Sequence, residues 1–223
     1  MEGKFVTFTT HAWETIAPVI DAIERHPFVV SLGDGSLPRP TFDYYMAQDA
    51  AYLHDYSRML ALAAGQAQDA DESLFWAGSS QTANSVERTL HASYLGADPN
   101  AMTIVASPTC TAYTSWQAMQ ATSGSYAQLV ASLLPCFWIY EYVGQHLLRS
   151  AGNLEGHPYQ DWIATYADPD FAKSCATARS IADRCCDPLG GPEAEAAMHA
   201  FVTSSRYEWM FWDAAWRMEE WPV

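Results

Sequence analysis

Apolar residues recur at spacings of three and four along this chain, between breaks rich in proline and glycine, and no run carries the β-branched alternation that a strand needs. That pattern excludes a sheet and predicts an all-α fold. Trp13, Ile16, Ala17, Ile20 and Ile23 mark a first amphipathic helix that stops near His26-Pro27. After the dense turn signal from Gly33 to Pro40, Thr41 is expected to cap a long helix containing Phe42, Tyr45, Asp49, Tyr52 and Tyr56. A third helix is expected from about Asp71 to Tyr94, ending at Gly96, and another from Ser107-Pro108 to about Thr122. Further helices are expected from Ala127 to about Leu148, from His157-Pro158 to Tyr166, from Asp168-Pro169 to Cys186 and from Glu193 to about Glu219. With 223 residues, no long linker and no repeat, the expectation is one domain of eight or nine helices.

Composition removes several function classes. A net charge of −15, with two lysines among eleven basic residues, excludes a nucleic-acid surface, which needs clustered Lys and Arg to displace counterions. The most apolar stretch, Leu129 to Tyr140, carries Ser132 and Pro135 and is too short to span a bilayer. Met1-Glu2-Gly3-Lys4-Phe5 has no apolar core for a secretory signal. Five cysteines form no even framework and no CxxC or zinc spacing, which fits free thiols in a reducing cytoplasm. Gly33-Asp34-Gly35 is no phosphate loop, since no strand precedes it and no GK[ST] follows. Metal sites score poorly: Glu87/His91 and Glu195/His199 stand at i and i+4 without matching partners, and no Glu-x-x-His exists.

Three segments carry residues suited to chemistry. Pro135-Cys136 sits in an aromatic-rich run, with Tyr140 one helical turn beyond the thiol. The proline either opens a helix, whose free N–H groups would favour thiolate, or bends a long one. Asp49 shares a helix face with Tyr45, Tyr52, Leu53 and Tyr56, so its carboxylate has to be paired, hydrogen-bonded or facing a cavity. Glu208 shares a face with Phe211, Trp212 and Ala215; rings around a carboxyl raise its pKa and suit a general acid. The bland alternative for Glu208 is an ion pair with Arg206 or Arg217. Tyr113 and Tyr166 are two further phenols on helical segments.

Gln48-Asp49-x-x-Tyr52-Leu53, Leu134-Pro135-Cys136-Phe137-Trp138-Ile139-Tyr140 and Glu208-x-x-Phe211-Trp212 together resemble the TenA family, also called thiaminase II or aminopyrimidine aminohydrolase, in its cysteine-bearing branch. The resemblance runs essentially end to end. It includes Gly35-Ser36-Leu37-Pro38 and Pro158-Tyr159-x-x-Trp162-Ile163-x-x-Tyr166. It implies a single-domain helical bundle of the haem-oxygenase-like type over residues 1–223, a homotetramer, and no metal or organic cofactor. The activity it implies is hydrolysis of 4-amino-5-aminomethyl-2-methylpyrimidine to the hydroxymethyl form and ammonia, and cleavage of thiamin to hydroxymethylpyrimidine and thiazole. By motif match Cys136 is the nucleophile and Glu208 the acid/base carboxyl. Asp49 holds the aminopyrimidine edge and helps activate the thiol, while Tyr52, Tyr113, Tyr140, Tyr166 and Phe211 line or stack on the ring. Two other readings are a non-catalytic binder of thiamin or its breakdown products, and an oxidative enzyme of the same fold.

Overall fold

The structure is a computed structural model that describes residues 6–95 and 104–223, with side chains outside 86–95. Among these residues there are ten α-helices and no strand. They are α1 (Phe8–Thr15), α2 (Ala17–Glu24), α3 (Pro27–Asp34), α4 (Arg39–Gln66), α5 (Ala70–Leu95), α6 (Pro108–Ser123), α7 (Tyr126–Ala151), α8 (Gln160–Tyr166), α9 (Pro169–Cys186) and α10 (Gly191–Arg217). The stop expected at Gly96 and the Glu87/His91 pair lie outside the described residues.

α7 is the centre. Six consecutive residues, Leu129 to Leu134, are wholly inaccessible to solvent. A helix buried all round has no face left for water, so neighbours must enclose it. α3, α4, α6, α8, α9 and α10 do so. Its start is fixed by a reciprocal cap: the Ser125 hydroxyl accepts from Gln128 N–H, and the Gln128 side chain accepts from Ser125 N–H. At the other end, a Cβ on Gly144 would sit 2.6 Å from the Tyr166 carbonyl carbon. Only glycine lets the end of α8 come this close to α7, and that approach brings the Tyr140 and Tyr166 rings to 4.8 Å.

Three expectations are corrected. The first helix is two, α1 and α2, meeting at Ile16, because Pro18 in the first turn of α2 has no N–H for a continuous ladder. Ala12, Ile16, Ile20 and Ile23 still share one buried stripe across the junction. Pro27 stops α2 and also starts α3, whose N-cap is His26: its Nδ1 accepts from Phe28 N–H at 3.2 Å. Thr41 is not the cap of α4, which begins two residues earlier at Arg39 after Pro38, with Pro40 pre-set in its first turn.

Pro135 lies inside α7, not at a helix start. No N-terminal N–H cluster or dipole end therefore faces Cys136. The activation of the thiol by a helix start, one of the two alternatives left open by the sequence, is excluded.

Candidate active site

α4 gives the site its floor because its inward residues fall on one stripe: Asp49, Leu53, Tyr56 and Leu60 border a cavity of about 730 Å³. α7 adds Cys136, Phe137 and Tyr140, α5 adds Phe75, Gly78 and Ser79, and Tyr166 closes the side formed by α8. Asp168, Asp170 and Phe171, from the start of α9, complete the lining. Cys136 is partly buried and free, so its sulfur stands in the wall of an aromatic cavity. Asp49 is buried in the same wall.

Behind Cys136 lies a second layer that does not border the cavity. It contains Tyr52, Tyr113, Glu208 and Phe211, all buried. Tyr113, on α6, donates its hydroxyl proton to Glu208 Oε1 at 2.6 Å. The Tyr52 ring packs 5.0 Å from Tyr113 and 5.8 Å from Phe211. Gln117 Nε2 donates to Tyr52 Oη at 2.9 Å, and Tyr56 donates to the Leu133 carbonyl at 2.9 Å. On the far side, Tyr45 donates to Tyr140 Oη at 3.1 Å and accepts from the Trp162 indole N–H at 3.3 Å.

The electrostatics of Glu208 and Cys136 run the same way. Burial pushes the Glu208 carboxyl up to about 8; the Tyr113 hydrogen bond opposes this and the Asp49 carboxylate adds to it. No ion pair among the described residues involves Glu208. The alternative pairing with arginine fails, since Arg217 bonds Asp213 at 2.8 Å and Arg206 is exposed. Burial and then the Glu208 charge hold the Cys136 thiol well above its usual range, with the neighbouring Tyr52 and Tyr56 hydroxyls acting in the opposite direction. The substrate-free site therefore stores its protons: the thiol and the carboxyl are both neutral at pH 7.

All eight candidate residues read from the sequence converge on this region, in two ranks. Asp49, Cys136, Tyr140 and Tyr166 border the cavity, while Tyr52, Tyr113, Glu208 and Phe211 back it. The sequence reading missed Tyr45 and Tyr56 as site residues, although both lie on the Asp49 stripe. It also missed Gln117, for which the only signal is its place one turn after Tyr113. Among the described residues no cluster of His, Cys, Asp and Glu could hold a metal ion, and no helix is long and apolar enough to cross a membrane.

The fold is the all-helical, haem-oxygenase-like type. The chain belongs to the TENA/THI-4/PQQC family, whose model matches residues 13–218. It is 35% identical to the thiamine biosynthesis multifunctional protein ThiED of Corynebacterium glutamicum over 94% of its own length. It spans only 27% of that longer protein. It is also 35% identical to the aminopyrimidine aminohydrolase of Bacillus subtilis, covering 88% of this chain and 84% of that one. A solved TenA homologue from P. horikoshii OT3 superposes with a TM-score of 0.84 at 25% identity, over 95% of this chain and 99% of the other.

Proposed function

We propose that the chain is a hydrolase of thiamin salvage that converts the aminomethyl-aminopyrimidine to its hydroxymethyl counterpart and ammonia, and cleaves thiamin to hydroxymethylpyrimidine and thiazole. The observation that carries this reading is the pairing of a thiol in an aromatic cavity wall with a buried carboxyl pushed up to about 8. The similarity to an aminopyrimidine aminohydrolase of comparable length supports it.

A 4-aminopyrimidine is electron-poor, and a proton on its ring nitrogen opens C6 to a soft nucleophile. In the proposed sequence the Cys136 thiol passes its proton to the Asp49 carboxylate as its sulfur bonds to C6, and the C6–N π pair moves onto nitrogen, which takes a proton from Glu208. The lone pair of the 4-amino group then expels the leaving group from the exocyclic methylene, as ammonia once the aminomethyl nitrogen has taken the proton held by Asp49, or directly as neutral thiazole. Water adds to that carbon and gives up a proton, and cleavage of the C–S bond restores the ring and the sulfur. Asp49 accepts from the amino edge of the ring, and Tyr140 and Tyr166 hold its faces. No metal or organic cofactor enters any step.

The cavity's about 730 Å³ exceeds the needs of one heterocycle and lies within the range of about 300–1,000 Å³ typical of ligand pockets. The outer lining carries Asp168 and Asp170, whose charge favours a cationic thiazolium there. The chain is proposed to act as a single domain within a homotetramer, as the family resemblance implies, and in a reducing cytoplasm, which its unpaired cysteines favour. The test is ammonia release from the aminopyrimidine and thiazole release from thiamin, in wild type and in Cys136→Ser. Turnover of either substrate by the wild type with near-complete loss in the variant is expected. Tight pyrimidine binding without product would overturn the reading in favour of a binding protein.

A further inference from the structure

The cavity runs from a closed end to an open one. Asp49, Tyr56 and Tyr140 line the closed end and are buried. At the mouth, α5 supplies Leu74, Gly78 and Thr82, all exposed, and the start of α9 supplies Asp168 and Asp170, also exposed. Leu74, Gly78 and Thr82 recur every four residues and so share one face of α5. Leu74 is 71% exposed, so the mouth offers apolar surface as well as two carboxylates.

Gly78 is the residue of that face that helix formation does not explain. Glycine inside a helix is destabilising relative to alanine. Two other helical glycines are forced by contact: a Cβ on Gly144 would lie 2.6 Å from Tyr166, and one on Gly33 2.8 Å from Leu147 Cδ2. A Cβ on Gly78 would meet nothing within 4 Å, and its φ is not positive. Neither packing nor backbone conformation requires glycine there. Gly65, whose Cβ position is also open, lies in the last turn of α4 and outside the cavity lining. What the missing side chain at 78 does is widen the mouth, because a longer residue would take up the space that Gly78 lines.

We propose that the mouth is a leaving-group chamber and that Gly78 is its specificity-determining residue, keeping room for a second, cationic heteroaromatic ring joined through its nitrogen to the pyrimidine methylene. The inference rests on the proposed function for the pyrimidine end. With the amino edge on Asp49 and C6 at Cys136, the exocyclic methylene and its substituent extend towards the mouth. Ammonia as leaving group needs no such room. A thiazolium does, and so does a pyridinium in the same place. Phe75 from α5 and Phe171 from α9 border the cavity and give a flat ring apolar surface. The Asp168 and Asp170 carboxylates favour the positive charge that such a ring carries until it leaves as a neutral heterocycle. The chamber thus selects its substrates by charge and width, not by any group peculiar to thiazole.

The test separates binding from turnover by using the Cys136→Ser protein. Calorimetry gives its affinity for thiamin and for hydroxymethylpyrimidine, which has no second ring. Adding Gly78→Leu is expected to lower the ratio of the two affinities, thiamin over hydroxymethylpyrimidine, by about tenfold or more. The analogue with a pyridinium in place of the thiazolium is expected to show the same fall. Ala77→Leu, exposed and outside the cavity lining, should leave the ratio as it was. An unchanged ratio for either ring in a folded Gly78→Leu protein overturns the chamber, and so does a failure of the Cys136→Ser protein to bind thiamin. An equal fall in Ala77→Leu overturns it too, since the effect would then come from a displaced α5. If Gly78→Leu does not fold, Thr82→Leu in the same wall is judged by the same ratio. The expected fall in affinity ratio, combined with a wild type that hydrolyses neither substrate, would count against the proposed function and leave the chamber standing.

Discussion

Two buried glutamates in this molecule share a residue type and a tyrosine partner and differ in one neighbour. Glu72 accepts from Tyr126 at 2.7 Å, and Arg184 binds it through Nε and Nη2 at 2.9 and 2.8 Å. Glu208 accepts from Tyr113 at 2.6 Å and takes part in no ion pair among the described residues. Glu72 ties α5 to α7 and α9 as a charge-assisted clamp. Burial pushes the Glu208 carboxyl up to about 8, and the single Tyr113 hydrogen bond offsets only part of the lost hydration. The guanidinium decides between a structural carboxylate and a chemical one.

Breaking this contrast at the reactive end gives the largest effects. Cys136→Ala removes the nucleophile and is expected to lower kcat by about a thousandfold or more on either substrate, measured by ammonia or thiazole release. Glu208→Gln keeps the shape but not the transferable proton. A fall in kcat of about 10²–10⁴-fold, larger than any rise in KM, is expected from steady-state kinetics. A change confined to KM would make Glu208 a binding group.

Stability reverses the order of the two glutamates. Glu72→Gln leaves Arg184 without its partner, and thermal denaturation should show a Tm lower by several degrees with kcat within about twofold of wild type. Arg184 is half exposed, so the loss is at the low end for buried pairs. Glu208→Gln should do the opposite. Its folded pKa is raised above the unfolded value of 4.5, so the native state binds more protons between 4.5 and about 8 and loses stability as pH rises through that window. The variant lacks this loss and is expected to melt a few degrees above wild type at pH 8.5 but not at pH 4.5. Of the substitutions in the cavity wall and its backing layer, Asp49→Asn gives the smallest effect, a rise in KM of about tenfold in steady-state kinetics, because it weakens the hold on the amino edge of the ring.

Local signals made most of this architecture legible. Spacings of three and four located the helices, and Ser107-Pro108 and Asp168-Pro169 gave two helix starts correctly because cap and proline act within one turn. Pro27 and Pro40 misled for the same local reason: a proline that ends one helix can begin the next, and a first-turn proline can move a start upstream of a good cap residue. Asp49 and Glu208 were recognisable from the rings around them in sequence, whereas Glu72 was not singled out. The contrast between Glu208 and the arginine-clamped Glu72 was not legible, since Arg184 lies 112 residues from Glu72 and only the packing of α9 against α7 brings it near. Gln117 was invisible for a related reason, because its meaning comes from Tyr52, 65 residues away on another helix. The segment around Pro135 reads equally as a start or a bend until the neighbours that bury α7 on all sides are known.

The most direct test of the contrast is the protonation state of Glu208 itself, read from the carboxylic-acid stretch in infrared difference spectra of wild type minus Glu208→Gln across pH. A protonated carboxyl at pH 7 that ionises with a midpoint near 8 is the expected result. A Glu208 already ionised at pH 6 would contradict it, and would place this carboxyl with Glu72 among the structural charges.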